Sequence, residues 1–92
     1  MVISNQEKWY VYVIESIPFN FRYIGMSKNV IDRLKLHNYG KVKSTKAKKP
    51  YKLIYYEFAG NRQNARILEK YYKSGAGRRK IQRMINNNNI IL

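Results

Sequence analysis

Apolar and aromatic side chains follow one another without a break from Trp9 to Ile14. The surrounding run KWYVYVIE, residues 8–15, is dominated by β-branched and aromatic types, so it predicts a strand. Trp9, Val11 and Val13 fall on one face and Tyr10, Tyr12 and Ile14 on the other. Both faces are apolar, which makes at least part of this strand central and covered on both sides. Ser16-Ile17-Pro18-Phe19-Asn20 reads as a turn, and Phe21 to Met26 as the second strand of a β-hairpin.

The pattern then becomes helical. Asn29 is a cap, Asp32 is an acid at the third helical position and Gly40 is a stop, predicting a helix from about Val30 to Tyr39. Val30, Ile31, Leu34 and Leu36 are its apolar positions. Arg33 and His37 are four apart and stack on one face, where they point two phosphate donors the same way. Residues 41–50, KVKSTKAKKP, hold five lysines and no acid and end at Pro50, so they read as a solvated loop.

A third strand, Tyr51 to Ala59, follows in YKLIYYEFA. After Gly60, Asn61 caps a second helix of about Arg62 to Ser74, closed by Gly75. Ala65, Ile67, Leu68, Tyr71 and Tyr72 form a broad apolar arc, and Glu69 lies just beyond its Ala65 edge, on the margin of the buried face. Gly77 to Ile85 has apolar residues at 81, 84 and 85 with basic residues opposite, a short third helix. The chain therefore reads as one domain over residues 1–92, with its core over about 8–85 and an asparagine-rich, frayed tail over 86–92. Ile90-Ile91-Leu92 either packs on the core or hangs free.

Composition narrows the function. Lys and Arg number 19 against five Asp and Glu, a formal net charge of +14, and charge of one sign at this density calls for a polyanion. With no cysteine and a single His37, neither a disulfide framework nor a thiolate zinc site can be built. No apolar run approaches the ~20 residues that span a bilayer, and the first residues carry no apolar signal region, so a cytoplasmic location and no membrane partner are expected. Gly75-Ala76-Gly77 lacks the rest of a nucleotide-binding fingerprint.

The order β-β-α-β-α-α carries Tyr10-Val11-Tyr12 in the first strand and Tyr23-Ile24-Gly25 in the second. Arg33 follows Gly25 by eight residues, His37 comes four further on, and Glu69 sits within Ala65-Arg66-Ile67-Leu68-Glu69-Lys70. From Lys8 to Lys80 this resembles the GIY-YIG nuclease superfamily, most closely its small standalone members, which are similar to the N-terminal nuclease domain of the UvrC excinuclease subunit. The sequence departs from that pattern in two places. Tyr10-Val11 replaces Gly-Ile ahead of Tyr12, and Met26 stands where the excinuclease branch carries a lysine.

The resemblance implies an α+β fold with a small central three-stranded antiparallel sheet flanked by helices. It also implies an enzyme, a Mg2+-dependent endonuclease hydrolysing DNA phosphodiester bonds in repair or recombination. Tyr12 would activate the water, Tyr23 position substrate or solvent, Arg33 contact the scissile phosphate, and His37 carry a proton or bind phosphate. Glu69 would hold the metal. In-line hydrolysis needs a base, cations on the non-bridging oxygens and help for the leaving oxygen, and these residue types supply all three. Tyrosine's ordinary pKa of about 10 makes it a weak base at neutral pH, so nearby positive charge is expected to favour phenolate.

Five acids, Glu7, Glu15, Asp32, Glu57 and Glu69, are scattered over separate elements. One divalent cation, Mg2+ or Mn2+, fits that count better than a two-metal centre. Lys28, Lys41, Lys43, Lys46, Lys48, Lys49, Arg78 and Arg79 are the candidates for nucleic-acid backbone contacts. Branched, damaged or single-stranded DNA is favoured over a specific duplex sequence; RNA and an unidentified protein partner stay open. Tyr39, Tyr51 and Tyr55 are candidates to stack on bases or to pack in the core.

Bland alternatives stand beside each assignment. Tyr12 and Tyr23 also read as packing strand tyrosines, Arg33 and His37 as a solvated helix face, and Glu69 as the i, i+4 partner of Lys73. The whole chain also reads as a catalytically weak or inactive basic module that binds DNA or RNA on the same scaffold.

Overall fold

The computed structural model describes residues 7–87. The expectations placed on Asn88, Asn89 and Ile90-Ile91-Leu92, and on the first six residues, lie outside that range. Strand β1 spans Trp9–Ser16 and β2 Arg22–Ser27; helix α1 spans Val30–Asn38; β3 spans Tyr51–Gly60; α2 and α3 span Arg62–Lys73 and Gly75–Asn86. The sheet order is β2-β1-β3 and both pairings are antiparallel, so the fold is the expected α+β arrangement with the apolar strand in the centre.

β1 is covered on both faces for the reason its composition suggested. Val11 and Val13 pack with Ile24, Ile54, Ala65, Tyr72 and Ile81 under α2 and α3. Tyr12 and Ile14 pack with Tyr51 and Leu53, beside Val30 and Leu34 of α1. Each fully buried Val or Ile contributes roughly 1.5–3 kcal/mol through the surface it removes from water.

The caps agree with the sequence. The Asn29 side chain accepts from the Asp32 amide at 3.0 Å and the Asn61 side chain from the Asn64 amide at 2.8 Å. The α2–α3 junction differs: Gly75 does not stop α2 but begins α3. Ser74 ends one helix and caps the next, its Oγ donating to the Tyr71 carbonyl and accepting from the Gly77 amide. Gly77 is the residue on which this corner turns, because a Cβ there would collide with the Tyr71 carbonyl oxygen.

Three other expectations are corrected. The apolar arc of α2 is narrower than read, since Ile67 is 66% exposed and Tyr71 lies at the surface; the helix meets a sheet only on the Ala65, Leu68 and Tyr72 side. Asn86 belongs to the last turn of α3 and Asn87 caps it, the Asn87 amide donating to the Arg83 carbonyl. Residues 41–50 are not simply a solvated loop. They include a 3₁₀ turn at Lys46–Lys48 and bury Thr45 completely, because the segment must close over the end of α1 and hand the chain to β3. Ser16 ties the hairpin turn to this segment, its Oγ donating to the Lys48 carbonyl at 2.6 Å. Among the described residues, no helix is long and apolar enough to cross a membrane.

Candidate active site

Tyr12 lies at the centre of the sheet, opposite Gly25 of β2 and Tyr56 of β3. Its side chain leans over β2: a Cβ on Gly25 would stand 2.5 Å from the Tyr12 hydroxyl oxygen. Glycine at position 25 is thus a packing requirement, because only a residue without a side chain leaves room for that hydroxyl.

The hydroxyl meets His37 Nε2 at 2.8 Å, and the other ring nitrogen, Nδ1, lies 2.6 Å from Thr45 Oγ1. His37 is fully buried, so it is not on a solvated helix face beside Arg33, and both of its ring nitrogens are engaged. Tyr23 completes the cluster, its ring centroid 6.4 Å from Tyr12 and 5.1 Å from His37. Tyr51 closes it from β3, its ring 6.0 Å from His37 and its hydroxyl donating to the Thr45 carbonyl at 2.7 Å. Asn38 brackets the Tyr51 backbone, accepting from its amide at 2.7 Å and donating to its carbonyl at 3.1 Å. The end of α1 is thereby locked to β3.

Electrostatics here run against the expectation of a ready phenolate. Burial pushes the Tyr12 hydroxyl up to about 12; Arg33 pulls it back, while Tyr23 and Glu69 push it further up. Burial and the Arg33 charge hold His37 down at about 4. At neutral pH the pair is therefore an un-ionised phenol against a neutral imidazole. The high net charge of the chain does not override desolvation at the buried hydroxyl.

Glu69 is contributed by a different helix, α2. Helix α2 packs against the opposite face of the sheet and against β2, and the Glu69 carboxylate is near enough to raise Tyr12. It makes no hydrogen bond to Tyr12, Tyr23, Arg33 or His37 among the described residues. Its two oxygens instead face Arg66 Nε at 3.6 Å and Lys73 Nζ at 3.4 Å, so the helical pair with Lys73 is formed. These exposed partners contribute little to stability.

Among the described residues no group of three or more His, Cys, Asp or Glu is placed to hold a metal ion. A single carboxylate fits only a hard cation that keeps most of its waters and takes further oxygens from a substrate phosphate, as Mg2+ does. Glu57 is engaged elsewhere, accepting from both the Tyr55 and Tyr72 hydroxyls.

Of the cationic candidates, Lys28, Lys41, Lys43, Lys46, Lys48, Lys49, Arg78 and Arg79 are all exposed. Lys28 and Lys48 lie over the rings of Trp9 and Phe21, at 5.6 and 4.4 Å, and Arg78 Nε donates to the Lys73 carbonyl. A cleft of about 480 Å³ runs from Tyr23 between β2 and α3, with Arg22, Lys73 and Arg78 among its lining residues. Of the three tyrosines offered for stacking, Tyr51 is buried and Tyr55 is half-buried on Tyr72, whereas Tyr39 is 71% exposed. Two residues of this cluster escaped the sequence reading. Gly25 was visible only as a motif letter, and nothing local distinguishes Thr45 from its neighbour Ser44.

A family model described as the GIY-YIG catalytic domain matches residues 8–82. A UPF0213 protein of Clostridium perfringens is 35% identical over 74 residues, covering 79% of this chain and 78% of its own. A UPF0213 protein of Pediococcus pentosaceus is 36% identical over 75 residues, covering 80% of this chain and 78% of its own. No solved structure matches the chain.

Proposed function

The chain belongs to the GIY-YIG family, whose catalytic domain is that of an endonuclease, and from that premise we propose a Mg2+- or Mn2+-dependent enzyme that hydrolyses DNA phosphodiester bonds. The observation that carries this reading is the Tyr12 hydroxyl, buried yet hydrogen-bonded at 2.8 Å to a neutral imidazole and within the fields of Arg33 and Glu69.

Neither partner is ionised at rest, so the proton moves as a relay. As water attacks phosphorus, its proton passes to the Tyr12 oxygen while the Tyr12 proton passes to His37 Nε2. Negative charge gathering on the phosphoryl oxygens offsets the low basicity of His37 and is met by Arg33. Tyr23 orients the attacking water or the substrate oxygen. Glu69 would hold the divalent cation together with waters and a phosphate oxygen, and the bound ion would stabilise charge on the leaving oxygen.

The substrate backbone runs along the cleft beside Tyr23 and over the lysines of residues 41–50, with affinity that falls steeply with salt. So small a domain leaves little surface for reading bases, which favours branched, damaged or single-stranded DNA, in repair or recombination, over a defined duplex sequence. One observation supports the second reading, a basic binding module of weak activity: both Glu69 oxygens face cations, and Met26 supplies no charge where the excinuclease branch has a lysine.

A cleavage panel of single-stranded, nicked, flapped and duplex DNA with Mg2+ separates the two. Tyr12→Phe and Glu69→Ala are each expected to lower cleavage about 10²–10⁴-fold with melting temperature within a few degrees of wild type. Cleavage by both variants at the wild-type rate would leave only the binding module.

A further inference from the structure

Residues 41–50 are exposed along almost their whole length, but Thr45 in their midst is 1% exposed. A hydroxyl carried that far from water is costly unless hydrogen bonds satisfy it. Thr45 Oγ1 has two partners, His37 Nδ1 at 2.6 Å and the Val42 carbonyl at 3.4 Å. A carbonyl only accepts, so the Thr45 proton turns toward Val42 and the Oγ1 lone pairs face Nδ1. A neutral imidazole carries one N–H. With that hydrogen on Nδ1, Nε2 presents its lone pair to the Tyr12 hydroxyl.

The opposite arrangement fails on the Tyr12 side. Were Nε2 protonated, Tyr12 would accept from it, and the phenolic proton would have no acceptor among the described residues: Arg33, the charged neighbour that acts on the hydroxyl, carries donors only. Tyr51 does not serve either: its hydroxyl reaches the Thr45 carbonyl, and among the described residues it makes no hydrogen bond to Tyr12. The three hydrogen bonds therefore run one way, from Tyr12 to His37, from His37 to Thr45 and from Thr45 to Val42.

We propose that Thr45 is a positioning residue that holds His37 with its hydrogen on Nδ1, so that Nε2 is the acceptor for the Tyr12 proton during hydrolysis. This rests on the reading of Tyr12 and His37 as the proton relay. The bookkeeping closes: the water oxygen bonds to phosphorus, its proton replaces the one Tyr12 gives to Nε2, and the leaving oxygen departs with the P–O electron pair. His37 ends as an imidazolium whose Nδ1–H still rests on Thr45; being buried, it returns its Nε2 proton through Tyr12 to water, and the leaving oxygen takes a proton from water. Thr45 touches no reacting atom. It acts through His37, and its own placement is set by the Tyr51 hydroxyl on its carbonyl.

The chain has one histidine, so long-range ¹H–¹⁵N NMR on uniformly labelled protein reads this ring without ambiguity. Wild type is expected to show a protonated Nδ1 and a bare Nε2 at neutral pH. Thr45→Val keeps the side-chain shape but removes the acceptor. It is expected to move the ring toward the Nε2–H form and to lower kcat on DNA by roughly 10²-fold, with KM changed less than about threefold. Thr45→Ser is expected to restore both. A protonated Nε2 in wild type, or a Thr45→Val ring that keeps its hydrogen on Nδ1, overturns the proposal. Tyr12→Phe cutting DNA as well as wild type would instead remove the relay on which the proposal stands; the NMR result, which needs no activity, tells that failure from the first.

Discussion

On the α2–α3 side of the sheet, Val11, Val13, Ile24, Ile54, Ala65 and Ile81 meet through apolar contact, and side-chain hydrogen bonds enter where Glu57 accepts from Tyr55 and Tyr72. On the α1 side, Tyr12, His37, Thr45 and Tyr51 are as deeply buried, but directed hydrogen bonds join them. The first face gains stability from area removed from water, which is non-directional and tolerant of small shifts. The second gives up some of that stability, because each buried polar group must find a partner at fixed distance and angle. The comparison separates substitutions that unfold the domain from those that disarm it.

Two glycine substitutions draw that contrast most sharply. Gly77→Ala forces a Cβ into the Tyr71 carbonyl at the α2–α3 corner, where only backbone could yield, and is expected to cost more than about 4 kcal/mol. Denaturant unfolding should show a lost or greatly weakened transition. Gly25→Ala meets the end of the Tyr12 side chain instead and is expected to cost about 1–3 kcal/mol. Its cleavage should fall by at least about tenfold while the domain still folds.

Acid should act through the second face. Unfolded, His37 takes a proton near 6.5; folded, only near 4. Between those values the unfolded chain binds more protons, so stability present above pH 6.5 is lost as pH falls toward 4, by about 3 kcal/mol in all. Arg33 from α1, Tyr12 from β1, Tyr23 from β2 and Tyr51 from β3 face the ring. His37→Gln is expected to flatten this slope, measured as the pH dependence of urea unfolding.

The smallest effect on stability belongs to the exposed lysines. Replacing Lys46, Lys48 and Lys49 by Gln should change unfolding free energy by no more than about 0.5 kcal/mol, yet lower the slope of log affinity against log salt by about 2 for single-stranded DNA. An unchanged salt slope would move the backbone path away from this segment.

The periodicity of the chain carried much of this architecture. β1 was marked as central by apolar residues on both faces, and Asn29 and Asn61 announced the two helix starts they cap. Tyr12, Tyr23, Arg33, His37 and Glu69 were marked by the resemblance of their spacing to a family pattern; on residue type alone each also had an ordinary structural reading. What spacing left open was depth. Arg33 and His37 share a helix face in sequence, but only packing against β1 and β3 buried the histidine, made it neutral and left the arginine at the margin. Ile67 and Tyr71 looked like core for the same reason in reverse: a helix pattern records which side chains are apolar, not which of them a partner covers.

The sequence by itself determined the order of elements, the central strand, the excess of positive charge and the residue types available for phosphodiester chemistry, because each is written in local composition and period. Tertiary structure alone decided that Gly25 makes room for a hydroxyl, that Thr45 sinks beneath its lysines to meet His37, and that Glu69 of α2 comes near enough to act on Tyr12. Those relations join residues 8 to 57 positions apart, and no local rule reaches across a chain closure of that length.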